Sequence, residues 1–171
     1  MSKKDIWIAD LTHTAQGISA NTFPLGAAYV AAFSKKELGD NYNIRLFKFP
    51  SQLTKALEEK IPTMLCFSNF SWNFELSYKF ASLTKKIDPN VVIVFGGPNF
   101  PTDQQKKLEF LNKRPAIDFY IELEGELAFV DLTKNLIQNN FNSLEFKSKG
   151  KTIINTSYVH DNHLISGPIE R

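Results

Sequence analysis

The residues able to do chemistry fall into four clusters: Asp10, Thr12 and His13; Ser68, Asn69, Ser71 and Trp72; Gly96-Gly97-Pro98 with Asn99; and Glu122 with Glu124-Gly125-Glu126. Each cluster follows a short apolar run. Together they offer hydroxyls, backbone N–H groups, flat aromatic surface and glycines that a ligand can approach closely. That set suits holding a large ligand with polar fringes better than turning over a small metabolite. Several standard sites are missing. Gly-x-Gly-x-x-Gly after the first apolar run is absent, which argues against a nicotinamide dinucleotide. There is no phosphate-cradling Gly-x-x-x-x-Gly-Lys-Ser/Thr loop and no Gly-x-Ser-x-Gly nucleophile elbow. A phosphoacceptor domain needs an Asp after its third strand, and Ser68-Asn69 stands there instead.

The elements that must position these clusters follow from periodicity. Val91-Val92-Ile93-Val94-Phe95 is a continuous, mostly β-branched run, the signature of a strand buried on both faces, and Gly96-Gly97-Pro98 ends it. Similar runs predict strands at 6–9, 43–49, 64–67 and 117–123. Helices are predicted at 24–38, 52–60, 72–87, 102–112 and 127–138, with Pro24 at a first turn and Gly39 as a stop. Five strands alternating with five helices predict a doubly wound, Rossmann-like (flavodoxin-like) five-stranded parallel α/β sheet. In such a sheet the four clusters lie along the carboxyl edge of the strands, where ligands bind. Residues 144–147 and 152–155 alternate around Lys149-Gly150-Lys151 and predict a C-terminal β-hairpin. Residues 158–171 read as a linker or tail. The domain expectation is therefore 1–141 for the ligand-binding unit and 142–171 for hairpin and tail.

Composition narrows the partners. The 171 residues are 43% hydrophobic, enough for a core, and 20 basic against 18 acidic residues leave no charge excess that points to nucleic acid or an anionic membrane. No apolar run approaches the roughly 20 residues of a membrane span, so a cytoplasmic protein is expected. The single cysteine, Cys66, excludes an intrachain disulfide and a cysteine-held iron–sulfur cluster within this sequence. Inside a predicted strand it reads as a small buried hydrophobe. His160 and His163 fall in the tail and read as solvent-exposed.

Four segments in order then carry a family resemblance: Phe23-Pro24-Leu25-Gly26-Ala27-Ala28-Tyr29-Val30-Ala31-Ala32, Phe67-Ser68-Asn69-Phe70-Ser71-Trp72-Asn73, Val94-Phe95-Gly96-Gly97-Pro98-Asn99, and Asp118-Phe119-Tyr120-Ile121 with Glu124-Gly125-Glu126. They resemble the N-terminal cobalamin-binding domain of the cobalamin-dependent radical S-adenosylmethionine enzymes. The resemblance implies cobalamin at the carboxyl edge, with Ser68, Asn69, Gly96, Gly97 and Pro98 flanking its nucleotide tail. The loops bearing Thr12, His13, Trp72, Glu124, Gly125 and Glu126 would face the corrin. It also implies a radical S-adenosylmethionine catalytic domain, in cis or in trans, whose Cys-x-x-x-Cys-x-x-Cys cluster this sequence lacks. The iron–sulfur cluster and S-adenosylmethionine would belong to that domain.

His13 leaves two readings open. Methionine synthase-type cobalamin domains place their cobalt ligand in Asp-x-His-x-x-Gly, whereas Asp10-Leu11-Thr12-His13-Thr14-Ala15-Gln16-Gly17 is spaced differently. His13 is either a lower cobalt ligand whose tautomer Asp10 fixes, or a solvated loop histidine that leaves the cobalt's lower face without one. The alternative to a cobalamin module is a flavodoxin- or receiver-like interaction domain without cofactor. A small enzyme using another nucleotide at the same edge is a third reading.

Overall fold

The structure, a computed structural model, describes residues 3–13 and 22–170. Strands β1 (Lys4–Ala9), β2 (Tyr42–Phe47), β3 (Met64–Ser68), β4 (Val92–Gly96), β5 (Phe119–Ile121), β6 (Thr156–His160) and β7 (His163–Ser166) form one sheet in the order β2-β1-β3-β4-β5-β6-β7. The pairings from β2 through β5 are parallel; β6 and β7 add in antiparallel fashion beyond β5. The sheet is thus mixed, mostly parallel and Rossmann-like, with seven strands where five were expected.

Strand side chains alternate between two cores. Ile6, Ile8, Met64, Cys66, Val92, Val94, Phe119 and Ile121 face one side. There they meet α1 (Leu25–Leu38), α5 (Gly125–Gln138) and α6 (Ser143–Ser148) through Ala27, Ala128, Leu132 and Phe146. Trp7, Ala9, Leu65, Phe67, Ile93, Phe95 and Tyr120 face the other. They meet α2 (Pro50–Glu59), α3 (Phe74–Ile87) and α4 (Gln104–Asn112) through Leu53, Phe74, Ala81 and Leu111. Helices on both faces explain why the inner parallel strands β3 and β4 read as unbroken apolar runs. Among the described residues no helix is long and apolar enough to cross a membrane.

The C-terminal hairpin lies elsewhere than expected. Residues 144–147 form α6 instead of a strand, because Asn142 caps the helix by accepting the Glu145 N–H at 3.0 Å. Gly150, at φ 62°, ends that helix and makes no hairpin turn. Four residues of alternation were too few to separate strand from helix. Residues 152–155 form no strand; the hairpin is β6–β7, which starts at Thr156 and runs into the segment read as a linker. Its two-residue turn is Asp161-Asn162, at φ 48° and 61°, residue types that tolerate the left-handed region.

At the amino edge of the sheet Asp118, just before β5, is 5% exposed and fully engaged. Its carboxylate meets Lys85 of α3 at 2.7 Å and Lys147 of α6 at 3.4 Å, and accepts the Ile93 N–H at 2.8 Å. One anion therefore ties helices from both layers to the sheet. Burial pushes the Lys147 ammonium below its ordinary pKa, and Asp118 pulls it back up. Asp118→Ala would leave two lysines facing each other without their anion. The expected loss is about 3 kcal/mol in denaturant unfolding, the scale for removing one partner of a buried ion pair.

Candidate functional site

A cavity of about 400 Å³ opens at the carboxyl edge of the parallel strands. Its floor is Ile8 of β1, Cys66 of β3, Val94 of β4 and Ile121 of β5, one row on the same face of the sheet. One wall is the first turns of α1, with Gly26, Ala27 and Val30; the other is α5, with Gly125, Glu126 and Phe129. These helices approach closely: a Cβ on Gly125 would sit 3.3 Å from the Val30 side chain. The carboxyl ends of β3 and β4 and the loops after them supply Phe67, Ser68, Phe70, Phe95, Gly96 and Gly97, and the turn after β5 supplies Leu123 and Glu124.

Six of the residues singled out from sequence line this cavity: Ser68, Gly96, Gly97, Glu124, Gly125 and Glu126. The others lie around it. Asn69 is fully buried, and its side chain braces neighbouring loops. Its Nδ2 donates to the Tyr120 hydroxyl at 2.9 Å and to the Asn99 carbonyl at 3.1 Å, and its Oδ1 accepts from Asn99 Nδ2 at 3.2 Å. Tyr120 in turn donates to the Gly97 carbonyl at 2.9 Å. Gly97 has φ 115°, and a Cβ there would sit 2.7 Å from the Asn69 carbonyl oxygen, so only glycine fits. Pro98 is exposed beside this knot. Thr12 is buried, and its N–H donates to the Lys48 carbonyl at 3.1 Å.

Trp72 is 59% exposed and stacks on the cavity-lining Phe70, with ring centroids 4.4 Å apart. Buried Asn73 shapes that loop: its Oδ1 accepts the Phe70 N–H at 2.8 Å, and its Nδ2 donates to Asp10 at 3.3 Å. The exposed His13 lies 2.7 Å, through Nε2, from the Trp72 carbonyl. Thr14 to Gly17 of the His13 segment lie outside the described residues. His160 and His163 are far from this edge in role, pairing with each other across the β6–β7 turn.

Electrostatics mark a holding site. Burial pushes the Cys66 thiol well above its ordinary pKa and the Tyr120 phenol likewise, so neither ionises near neutrality. Among the described residues no group of three or more His, Cys, Asp or Glu side chains is placed to hold a metal ion. Large exposed apolar side chains stand on the same elements: Leu25 and Tyr29 on α1, Leu127 on α5, Leu123 at the cavity itself, and Trp72 stacked on Phe70. Sequence reasoning missed Tyr120, Phe70 and Leu123. The first two stand inside segments that carry the family resemblance but have no site role there, and Leu123 falls in the predicted fifth strand.

Three comparisons bear on what this site is. The sequence matches the family model described as "B12 binding domain" over residues 16–133, well over half of the chain. It is 39% identical over 71 residues to the cobalamin-dependent radical SAM methyltransferase TokK of Streptomyces tokunonensis, an alignment covering 42% of this chain and 10% of that protein. It is 29% identical over 124 residues to 2-(S-pantetheinyl)-carbapenam-3-carboxylate methyltransferase of Streptantibioticus cattleyicolor, covering 68% of this chain and 17% of that one. The chain thus spans less than a fifth of these curated relatives. Its fold superposes on the structure of the cobalamin-dependent S-adenosylmethionine radical enzyme OxsB with aqua-cobalamin and S-adenosylmethionine bound. The TM-score is 0.70 at 15% identity, over 99% of this chain and 22% of that one.

Two outcomes test the geometry. Tyr120→Phe strands the Gly97 carbonyl and the Asn69 amide, and is expected to cost about 1–3 kcal/mol in chemical denaturation. Asp10 is held above its ordinary pKa of 3.8 by burial, with Lys48 opposing. A raised carboxyl pKa contributes stability that is present below the unfolded value and lost as pH rises through the folded one. Asp10→Asn keeps an acceptor for Asn73 without the charge. Melting curves should place it above the wild type at neutral pH, with the gap closing as pH falls to about 4.

Proposed function

This chain belongs to the B12 binding domain family, and on that premise we propose that the cavity receives the nucleotide tail of cobalamin while its rim faces the corrin. The observation that carries the reading is convergence. Ser68, Gly96, Gly97, Glu124, Gly125 and Glu126, drawn from the ends of β3 and β4 and the start of α5, meet on one cavity with an apolar floor. Its volume falls in the range of small-molecule sites and suits a flat aromatic base, not a whole corrin. The fit extends to the backbone: Gly97 removes a Cβ where the loops after β3 and β4 touch. The wider ring then rests on the exposed apolar rim of Leu25, Tyr29, Trp72 and Leu127.

Bound cobalamin supplies a cobalt able to accept and release a one-carbon group. The chain's residues hold and orient it. Ser68 offers the tail a hydroxyl, and the Phe70–Trp72 stack offers the ring a flat surface. Asn69, Thr12 and Pro98 act by fixing loop shape. We read His13 as a loop pin whose Nε2–H donates to the Trp72 carbonyl; a cobalt-ligand role would use the lone pair that this leaves on Nδ1. Residues 1–141 form the cofactor unit in this reading, and 142–171 extend its sheet. The named relatives are methyltransferases, which supports a radical S-adenosylmethionine catalytic domain as partner, in cis or in trans. That domain would hold the iron–sulfur cluster and S-adenosylmethionine. A cofactor-free flavodoxin- or receiver-like role is not favoured by the family match.

The test is retention of hydroxocobalamin after desalting, read from the visible corrin bands. The folded chain is expected to keep the corrin, and His13→Ala is expected to keep the same band positions. A folded chain that retains none contradicts cobalamin binding. A band shift in His13→Ala contradicts the pin and restores the ligand reading.

A further inference from the structure

Among the described residues that line the cavity, Leu123 is the non-glycine whose backbone works against its side chain. It has φ 55°, in the left-handed region that disfavours residues with a Cβ, and its side chain is 47% exposed while lining the cavity. An apolar side chain left half in water gains little from a position that also disfavours its backbone. The surroundings impose it. On the preceding side Glu122 is fixed three times over. Its N–H donates to the Asn155 carbonyl at 2.7 Å, its carboxylate meets Lys107 Nζ at 2.6 Å, and the Ser157 hydroxyl donates to it at 2.8 Å. Lys107 is 4% exposed and Ser157 fully buried, so this ion pair sits in a medium where breaking it is costly. On the following side Gly125 is wedged against Val30. Leu123 is caught between two anchors and presented at the mouth. Strain of this kind persists where the surroundings over-determine it, and clusters at ligand clamps.

We infer that Leu123 is an affinity-determining clamp that closes over the nucleotide tail of cobalamin, held in its left-handed conformation by the Lys107–Glu122–Ser157 cluster. The inference rests on the cobalamin reading above. It adds a residue and a division of labour: the buried cluster positions the turn, and the leucine side chain covers the ligand. Placement within the cavity, and not only on the rim, assigns it to the tail instead of the corrin ring.

Two variants separate side chain from backbone. Leu123→Ala removes the side chain and keeps the Cβ; Leu123→Gly removes both. Titrations would use the 171-residue chain with hydroxocobalamin, and with diaquocobinamide, which has the corrin but no nucleotide. Leu123→Ala should weaken hydroxocobalamin about tenfold, the scale for re-exposing most of a buried leucine side chain, and leave cobinamide within about twofold. Leu123→Gly should bind hydroxocobalamin as weakly, yet melt about 2–4 °C above Leu123→Ala without ligand. Unchanged hydroxocobalamin affinity in Leu123→Ala overturns the clamp, and equal losses for both corrinoids overturn its assignment to the tail. A Gly variant melting no higher than the Ala variant overturns the strain. A wild-type chain that binds neither corrinoid fails the cobalamin reading itself, while the melting comparison still reports on the backbone.

Discussion

The carboxyl edge of this sheet depends on one buried polar knot. Tyr120 points away from the cavity into the opposite core, yet its hydroxyl joins two loops that shape the cavity, donating to Gly97 and accepting from Asn69. Asn99 closes the same knot from its own side chain. A ring stacked on Phe100 at 3.8 Å keeps Tyr120 from turning. Because Asn69 and Tyr120 are fully buried, their polar groups are costly to leave unpaired, and the loops behave as one unit. The glycine at position 97 is a consequence: two backbones come so near that no side chain fits between them.

Rigidity is distributed unevenly between the two ends of the strands. At the amino edge Asp118 gathers Lys85 and Lys147, binding both helical layers to the sheet. At the carboxyl edge a second ion pair, Lys107 with Glu122, is tied through Ser157 to the antiparallel extension β6–β7. The hairpin therefore reaches the ligand edge indirectly, through Glu122 and the turn that follows it. Between these anchors the cavity walls are helix ends and apolar side chains, and exposed apolar residues stand on the same helices. The cavity thus combines braced loops with an apolar floor.

Much of this was legible in the sequence, for identifiable reasons. Strands β1, β3, β4 and β5 announce themselves because burial on both faces demands apolar runs such as Val91 to Phe95, while the edge strand β2 shows by alternation. The clusters after them followed from the rule that ligands gather at strand ends, and six of eleven site residues line the cavity. What failed was local. Leu144 to Lys147 alternates like a strand over too few residues to betray the helix that Asn142 caps. Asp161-Asn162 was overlooked because a search for glycine turns misses the other residues that accept positive φ. Asn69 and Trp72 show the remaining gap. Residue type identifies a polar or aromatic group at the right edge, but only packing shows that one is spent on bracing loops and the other stacks beside the mouth.

The central claim is that cobalamin occupies the carboxyl-edge cavity and its rim. Amide hydrogen exchange with and without hydroxocobalamin tests it most directly, because it reports location as well as binding. Added protection is expected in the loops around 67–72, 95–99 and 122–127 and in the first turn of α1, with the amino-edge segments around 88–91 and 140–144 unchanged. Protection centred on the amino edge, or no change at the carboxyl-edge loops under saturating ligand, would contradict the account.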